Sequence, residues 1–386
     1  MTAYLRFLRA AFVLALMAAA ALCFAADAAD ASPGSRTHAT TEQSTSAAAV
    51  PDSSTEATEV SDPAHEAEQL AYRDYQRSVL AALSASAEPR DWALAGQMFL
   101  FTEESAIYPD RHNELVLRAA KAAPNDALVQ WLAALSAPND NGSAISAADN
   151  PIDALLTIEQ DNAAAWQQAL MQALRNKNDS RIDEALAGMA SSRRYDDHFG
   201  DVLRAWLDVY ERHPMPDDLV QRSSHEPSFA KETAALAGAM AQTTATNMPN
   251  YSAITKVCRI DSPEPQSWTR NAYCAEIGHL MATSAPTVLS RKMGYAVLHL
   301  SGNVSENDVQ EARNLDWLWH QEYALVDDEK ISPAYFAAQA NDWRTSVDEI
   351  EVLRRGIMRA GISLTPPPEW ISPRPLVASP GYMASQ

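Results

Sequence analysis

The sequence predicts an all-α protein, arranged either as repeating helical hairpins or as an irregular α-bundle. Glycine is scarce, with 12 residues among 386, and runs of β-branched residues are nearly absent. Alanine, leucine, glutamine, glutamate and arginine dominate the body of the chain, a composition that favours helices over strands. Apolar residues recur along most of the body with the spacing of an amphipathic helix.

Residues 1–26 are predicted to be a secretory signal peptide. Arg6 and Arg9 precede an uncharged apolar run, Ala10 to Phe24, and small residues follow it. The run is shorter than the roughly 20 residues of a membrane span, so an uncleaved anchor is the less favoured alternative. Cys23 follows a leucine instead of the small residue typical of a lipoprotein, and it should leave with the leader. Cleavage is expected after Ala25, Ala26 or Ala28, which predicts a periplasmic or secreted protein of Gram-negative type.

Two segments flank the predicted body, which comprises residues 63–363. Residues 27–62 contain no aromatic side chain and consist mostly of Ala, Ser, Thr, Asp and Glu, so a disordered tether is expected. The tail, residues 364–386, is rich in proline and should be extended or disordered, although Trp370 could pin part of it to the body.

The formal net charge is −20, and removing the two arginines of the leader gives −20 − 2 = −22. Such a chain should be repelled by nucleic acid and by anionic lipid, so neither is an expected partner. The simplest interpretation of the acidic balance is solubility, although a cationic partner remains compatible with it.

Residues 63–214 form the more regular half of the body. Asn150 should cap a helix that has Pro151 at its first position. Two later segments superpose when Trp131 is placed on Trp166, a spacing of 166 − 131 = 35, and Trp92 lies 39 residues before the first of them. Periods of this length are typical of helical-pair solenoids.

The segment W-A-L-A-G-Q-M-F, which starts at Trp92, resembles the opening of a tetratricopeptide repeat. Trp92, Ala95, Gly96 and Phe99 stand where that family places Trp, Leu, Gly and Tyr. The resemblance implies helical hairpins and a groove that binds peptides or proteins, and it implies no catalytic residue. The alternative is an irregular bundle whose helices happen to be similar in length.

Residues 215–363 are predicted to be helical without the repeat. Each half could be a domain by itself, and one continuous helical array is an equal alternative. Ser305 and Asp308 are spaced as a capping pair. The last stretch, from about Asn341, is predicted to be one helix, with Gly361 near its end. Its apolar face would carry Trp343, Val347, Ile350, Leu353 and Ile357.

The sequence contains no complete catalytic motif. Neither His65 nor His225 has the second histidine that a zinc-protease helix requires, and Ser228-x-x-Lys231 has no accompanying K-T-G. The YDDHFGD segment around His198 offers metal ligands, but helix capping by its aspartates is the favoured interpretation. We therefore predict no catalytic, cofactor-binding or metal-binding residue.

Aromatic residues cluster between Leu315 and Tyr323. Trp317 and His320 should share one face of a helix, and Trp319 and Tyr323 another. Such a helix is buried on two sides or leaves one face for a ligand, and core packing is the favoured interpretation.

Cys258 and Cys274 are the thiols that remain once the leader is removed. They lack the spacing of a redox pair and the neighbours of a zinc site, so a structural disulfide is predicted in an oxidising compartment.

The expected function is that of a non-catalytic module or scaffold that binds a protein or peptide, without a cofactor. The alternative is an envelope hydrolase with a site assembled around His198, His279 or His320. A passive envelope protein without a small ligand is the third hypothesis.

Overall fold

The computed structural model describes residues 63–136, 150–224, 231–259, 268–327 and 333–373. Within these ranges the chain forms 16 α-helices, one short 3-10 turn and no strand, which confirms the all-α prediction. None of the described helices is long and apolar enough to cross a bilayer. The predicted leader, the tether and Ser228 lie outside the described residues. The helices are α1 (Pro63–Ala85), α2 (Pro89–Phe99), α3 (Arg111–Ala122), α4 (Ala127–Leu135), α5 (Pro151–Ile158), α6 (Ala163–Arg175), α7 (Asp179–Ser191), α8 (Phe199–Arg212), α9 (Asp217–Ser224), α10 (Lys231–Thr246), α11 (Ser252–Cys258), α12 (Trp268–Ser284), α13 (Val288–Leu300), α14 (Glu306–Asp327), α15 (Pro333–Thr345) and α16 (Glu349–Arg359).

Every second helix of the first half starts at a regular interval. The N-cap residues of α2, α4, α6 and α8 are Glu88, Asp126, Asn162 and His198, which gives intervals of 38, 36 and 36 residues. The side chains of Asp126 and Asn162 accept main-chain N–H groups of the first helical turn, which would otherwise lack a partner. As predicted, Asn150 caps α5 in the same way.

The tryptophans do not share one position in this repeat. Trp92 and Trp166 stand four residues after their N-caps, and each donates its indole N–H to the carbonyl six residues earlier. Trp131 stands five residues after Asp126, is fully buried, and donates to Asn247 at 2.6 Å. The superposition of Trp131 on Trp166 is therefore one residue out of register.

Glycine allows two of the helical hairpins to pack closely. A Cβ on Gly96 of α2 would lie 2.5 Å from the side chain of Val116 in α3, and a Cβ on Gly188 of α7 would lie 2.3 Å from the ring of Trp166 in α6. Any larger residue would force these helices apart. The glycine of the tetratricopeptide-like segment thus has a packing role between α2 and α3.

The stretch from Asn341 to Gly361 contains two helices, so the prediction of one continuous helix is wrong. α15 ends at Thr345, and Asp348 caps α16 by accepting the N–H groups of Ile350 and Glu351. The apolar spacing continues across the break, but the Ser-Val-Asp turn offers the backbone its own hydrogen bonds. The short helices α9 and α11 were also not predicted. By contrast, Ser305 and Asp308 form the predicted reciprocal cap.

The core crosses the predicted boundary at residues 214 and 215. Helix α10 packs against α8 and α15, and one connected cluster of buried side chains includes residues from Tyr75 to Val352. The sulfur atoms of Cys258 in α11 and Cys274 in α12 lie 2.04 Å apart, at disulfide distance, and both side chains are fully buried in this cluster.

Candidate functional site

An open cleft of about 950 Å³ lies between the start of α2, the turn that joins α3 to α4, and one face of α8. Five carboxylates, three arginines and one histidine contribute to its lining. Because α2, α4 and α8 are all helices of the regular series, the repeat places their charged first turns and the face of α8 around one space. The cleft is therefore a product of the helix order in the first half.

Two bidentate ion pairs form part of the cleft wall. Arg90 of α2 donates to both carboxylate oxygens of Asp126, at 2.7 and 3.3 Å, and Arg212 of α8 donates to both oxygens of Asp91, at 2.6 and 3.0 Å. Burial alone would raise the pKa of Asp91, but the hydrogen bond from Arg212 holds that pKa below its usual value. Arg204 differs, since its Nε is buried without a hydrogen-bond partner among the described residues.

His198 lies at the floor of the cleft and is held by two carboxylates. Its backbone is left-handed, with φ 53°, which is costly for a residue other than glycine. Its Nε2 lies 2.9 Å from Glu159 and its Nδ1 lies 3.2 Å from Asp201. Burial would lower the pKa of His198, but the two carboxylates raise it to about 10. The ring is therefore an imidazolium at neutral pH, and both nitrogens donate hydrogen bonds.

Glu159 is the buried counterion of His198. Burial would raise its pKa, but hydrogen bonds from His198, Asn162 and Arg194 lower it to about 2. The side-chain amide of Asn162 also donates to the carbonyl of Asp196 at 2.8 Å and accepts the backbone N–H of Asp196 at 2.9 Å. These bonds tie the segment before α8 to the turn between α5 and α6, which explains how a strained His198 backbone is maintained.

The next carboxylate, Asp197, points away from the cleft into the second half. It is buried and accepts hydrogen bonds from the hydroxyls of Ser290 and Thr287 at the start of α13. Its carbonyl accepts from Asn247, which in turn accepts the indole N–H of Trp131. Burial raises the pKa of Asp197. Residues 196–198 thus connect both halves of the protein.

This arrangement limits the chemistry that His198 can perform. An imidazolium with both nitrogens engaged has no lone pair for a general base or a metal ion. The ligand atoms of Asp196, His198 and Asp201 lie within 4.8 Å of one another, yet a metal bound there would have to replace the proton and one carboxylate contact of His198. The capping interpretation is correct in part: Asp196 and Asp197 accept N–H groups at the helix start, while Asp201 binds the imidazole.

The three histidines of the hydrolase hypothesis, His198, His279 and His320, do not form one cluster in the described part of the chain. His279 is half-exposed on α12, with Nδ1 3.7 Å from Asp308, and His320 lies on α14 beside Trp370. Within the described ranges, the only cluster of three or more potential metal ligands is the one at His198. The His198–Glu159 pair was missed from the sequence because the two residues are 39 positions apart.

The aromatic residues of α14 lie on two different faces, as predicted. Trp319 and Tyr323 line a small pocket beside Trp343, whereas Trp317 and His320 contact Trp370 of the tail. The ring centroids of Trp317 and Trp370 are 5.3 Å apart and edge-on. The predicted ligand surface is therefore divided between an inner pocket and an outer face covered by the tail.

No family profile, curated protein or solved structure shows a significant match to the chain. The tetratricopeptide resemblance of residues 63–214 accordingly depends on the Trp92 segment and the spacing of the helices.

Proposed function

We propose that this chain is an exported, non-catalytic protein that binds a segment of another polypeptide in the cleft between α2, α4 and α8. The observation that carries the proposal is the cleft itself, about 950 Å³ in volume, open, and lined by charged groups from three helices of one repeat. Concave surfaces formed by stacked helical hairpins are common peptide-binding sites.

The charges of the cleft suit a polypeptide segment that carries both signs. Arg90 and Arg212 are held in position by their carboxylate partners, so little side-chain freedom is lost when a ligand arrives. Arg204 lines the cleft as a cation for an acidic group, and Asp208 lies on the same face of α8 for a cationic group. The saturated imidazolium of His198 favours binding over a hydrolase centred on that residue.

A charge exchange inside the cleft tests the proposal without changing the net charge. The R204E/D208K variant reverses both groups on α8, and the D74K/R77E variant reverses an exposed ion pair on α1 whose two residues do not line the cleft. Each mature protein is immobilised, incubated with an envelope extract, and the retained proteins are quantified by mass spectrometry.

We expect at least one specific protein that the unaltered chain and D74K/R77E retain equally and that R204E/D208K loses at least tenfold. Retention should fall as salt is raised, because the contacts are charged. Equal retention by the cleft variant, or retention of no specific protein, would contradict the proposal. Circular dichroism and thermal melting of both variants show whether the fold is intact.

A further inference from the structure

The outer face of α14 binds the C-terminal tail through one stripe of side chains. Arg313, Asp316, Trp317 and His320 follow the i, i+3, i+4, i+7 spacing of a single helix face, and each contacts the segment 363–372. We call this stripe the α14 groove. It is separate from the cleft between α2, α4 and α8.

Most hydrogen bonds in the α14 groove are made to main-chain carbonyls of the tail. The guanidinium of Arg313 donates to the carbonyls of Pro367, Pro368 and Trp370, at 2.7, 3.2 and 2.8 Å. The indole N–H of Trp317 donates to the carbonyl of Ser363 at 2.8 Å. The carbonyl of Pro367 also accepts the backbone N–H of Trp370 at 3.0 Å, so the segment turns between these two residues.

Side-chain recognition is concentrated in one aromatic residue. The ring of Trp370 packs edge-on against Trp317, lies beside His320, and is 5.8 Å from the guanidinium carbon of Arg313. By contrast, Ile371 is 81% exposed. The segment therefore lies on the surface as a strip with one anchor and does not form part of the two buried core clusters.

From these contacts we propose that the α14 groove is a receptor for a proline-rich segment of a partner protein that turns just before a tryptophan anchor, and that the tail is its covalently attached occupant. The sequence L-T-P-P-P-E-W shows the ligand chemistry: carbonyls of consecutive prolines, a turn from Pro367 to Trp370, and an aromatic ring three residues after the first carbonyl that Arg313 binds. Proline fixes much of the backbone of such a segment in advance, so little conformational freedom is lost when it binds a groove lined by aromatic side chains.

Because the tail is covalently attached to the chain, it occupies the α14 groove in the absence of a partner. A segment attached a few residues away acts at an effective concentration in the millimolar range, so a partner must compete with it. Replacing Trp370 removes the anchor of the tail and leaves every residue of the α14 groove unchanged. Full-length W370A should therefore bind a separate peptide that the unaltered chain largely excludes.

The probe is a fluorescein-labelled peptide with the sequence of residues 361–373, followed by fluorescence anisotropy. We expect W370A to bind it at least tenfold more tightly than the unaltered chain does. The double variant R313A/W370A, and a peptide in which the tryptophan is alanine, should each bind at least tenfold more weakly than the W370A–peptide pair. Far-ultraviolet circular dichroism and melting temperatures monitor the fold of both variants.

Three results would overturn the proposal. They are absence of binding to W370A, equal binding of the peptide without tryptophan, and binding that does not depend on Arg313. A concentration-dependent dimer of the unaltered chain that W370A abolishes would also overturn it, because the groove would then exchange tails between two copies instead of serving a foreign partner.

Discussion

The buried pair of His198 and Glu159 predicts how stability depends on pH. The folded chain holds the His198 proton with a pKa of about 10, whereas an unfolded histidine has a pKa of about 6.5. The contribution of this proton to stability is therefore complete below about pH 6.5 and is lost as the pH rises through about 10. Proton linkage gives a loss of about 2.5 kcal/mol from His198 between pH 7.5 and 9.5.

Replacing Glu159 with glutamine removes the carboxylate charge and keeps the size of the side chain. Breaking a buried pair while the other charge remains costs about 3–5 kcal/mol, so E159Q should be less stable by about 3 kcal/mol at pH 7.5. The pKa of His198 should fall in the variant, since one of its two carboxylate partners is gone. Consequently, E159Q should lose clearly less stability than the unaltered chain between pH 7.5 and 9.5.

Urea unfolding of the full chain at pH 7.5, 8.5 and 9.5 measures both quantities. The chosen range avoids most of the titration of Glu349, whose pKa burial raises to about 7. D153N is the matched control, because Asp153 is a half-exposed carboxylate of α5 that pairs with Arg181. It should change stability by less than about 1 kcal/mol and keep the original pH dependence. The reasoning would be refuted if E159Q kept the same pH dependence as the unaltered chain, or if nuclear magnetic resonance found His198 titrating near its ordinary pKa.

Three further changes should lower the free energy of unfolding. G200A places a Cβ 2.0 Å from the carbonyl oxygen of Val347, a backbone atom with little room to move, so urea unfolding should show a loss of about 2–3 kcal/mol. Replacing Cys258 and Cys274 together with serine should cost about 3 kcal/mol, and adding reductant should then have no further effect on the melting temperature. W131F leaves a buried amide oxygen without its donor and should cost about 1–3 kcal/mol in the same unfolding assay, with far-ultraviolet circular dichroism unchanged.

Local signals in the sequence were reliable where the interaction itself is local. The cap at Asn150 and the reciprocal pair of Ser305 and Asp308 both depend on residues within a few positions of one another. The division of the α14 aromatics into two faces follows from helical geometry alone and was also predicted.

Features that depend on distant contacts were not predictable in this way. Glu159 carries no local sign that it will meet His198, and the one-residue error in the tryptophan superposition arose because Trp131 is placed by a partner 116 residues away. The break at Ser346 was missed because the apolar period is the same in two short helices as in one long helix. Trp370 was predicted to pin the tail to the body. The groove that it contacts could not be predicted, because the sequence does not show which face of α14 is exposed to solvent.

The fourth N-cap of the repeat differs from the two before it, and this difference explains where the regular series ends. Asp126 and Asn162 use their side chains to cap their own helices, whereas His198 has no side-chain cap and turns inward to Glu159. Its neighbours take over the capping, and Asp197 at the same time reaches the start of α13. The segment that begins α8 is therefore committed to contacts with both halves. Helix α8 packs on α10 and α15, so the regular series of helices ends where it meets the second half of the protein. The α2–α4–α8 cleft lies open on the other side of α8.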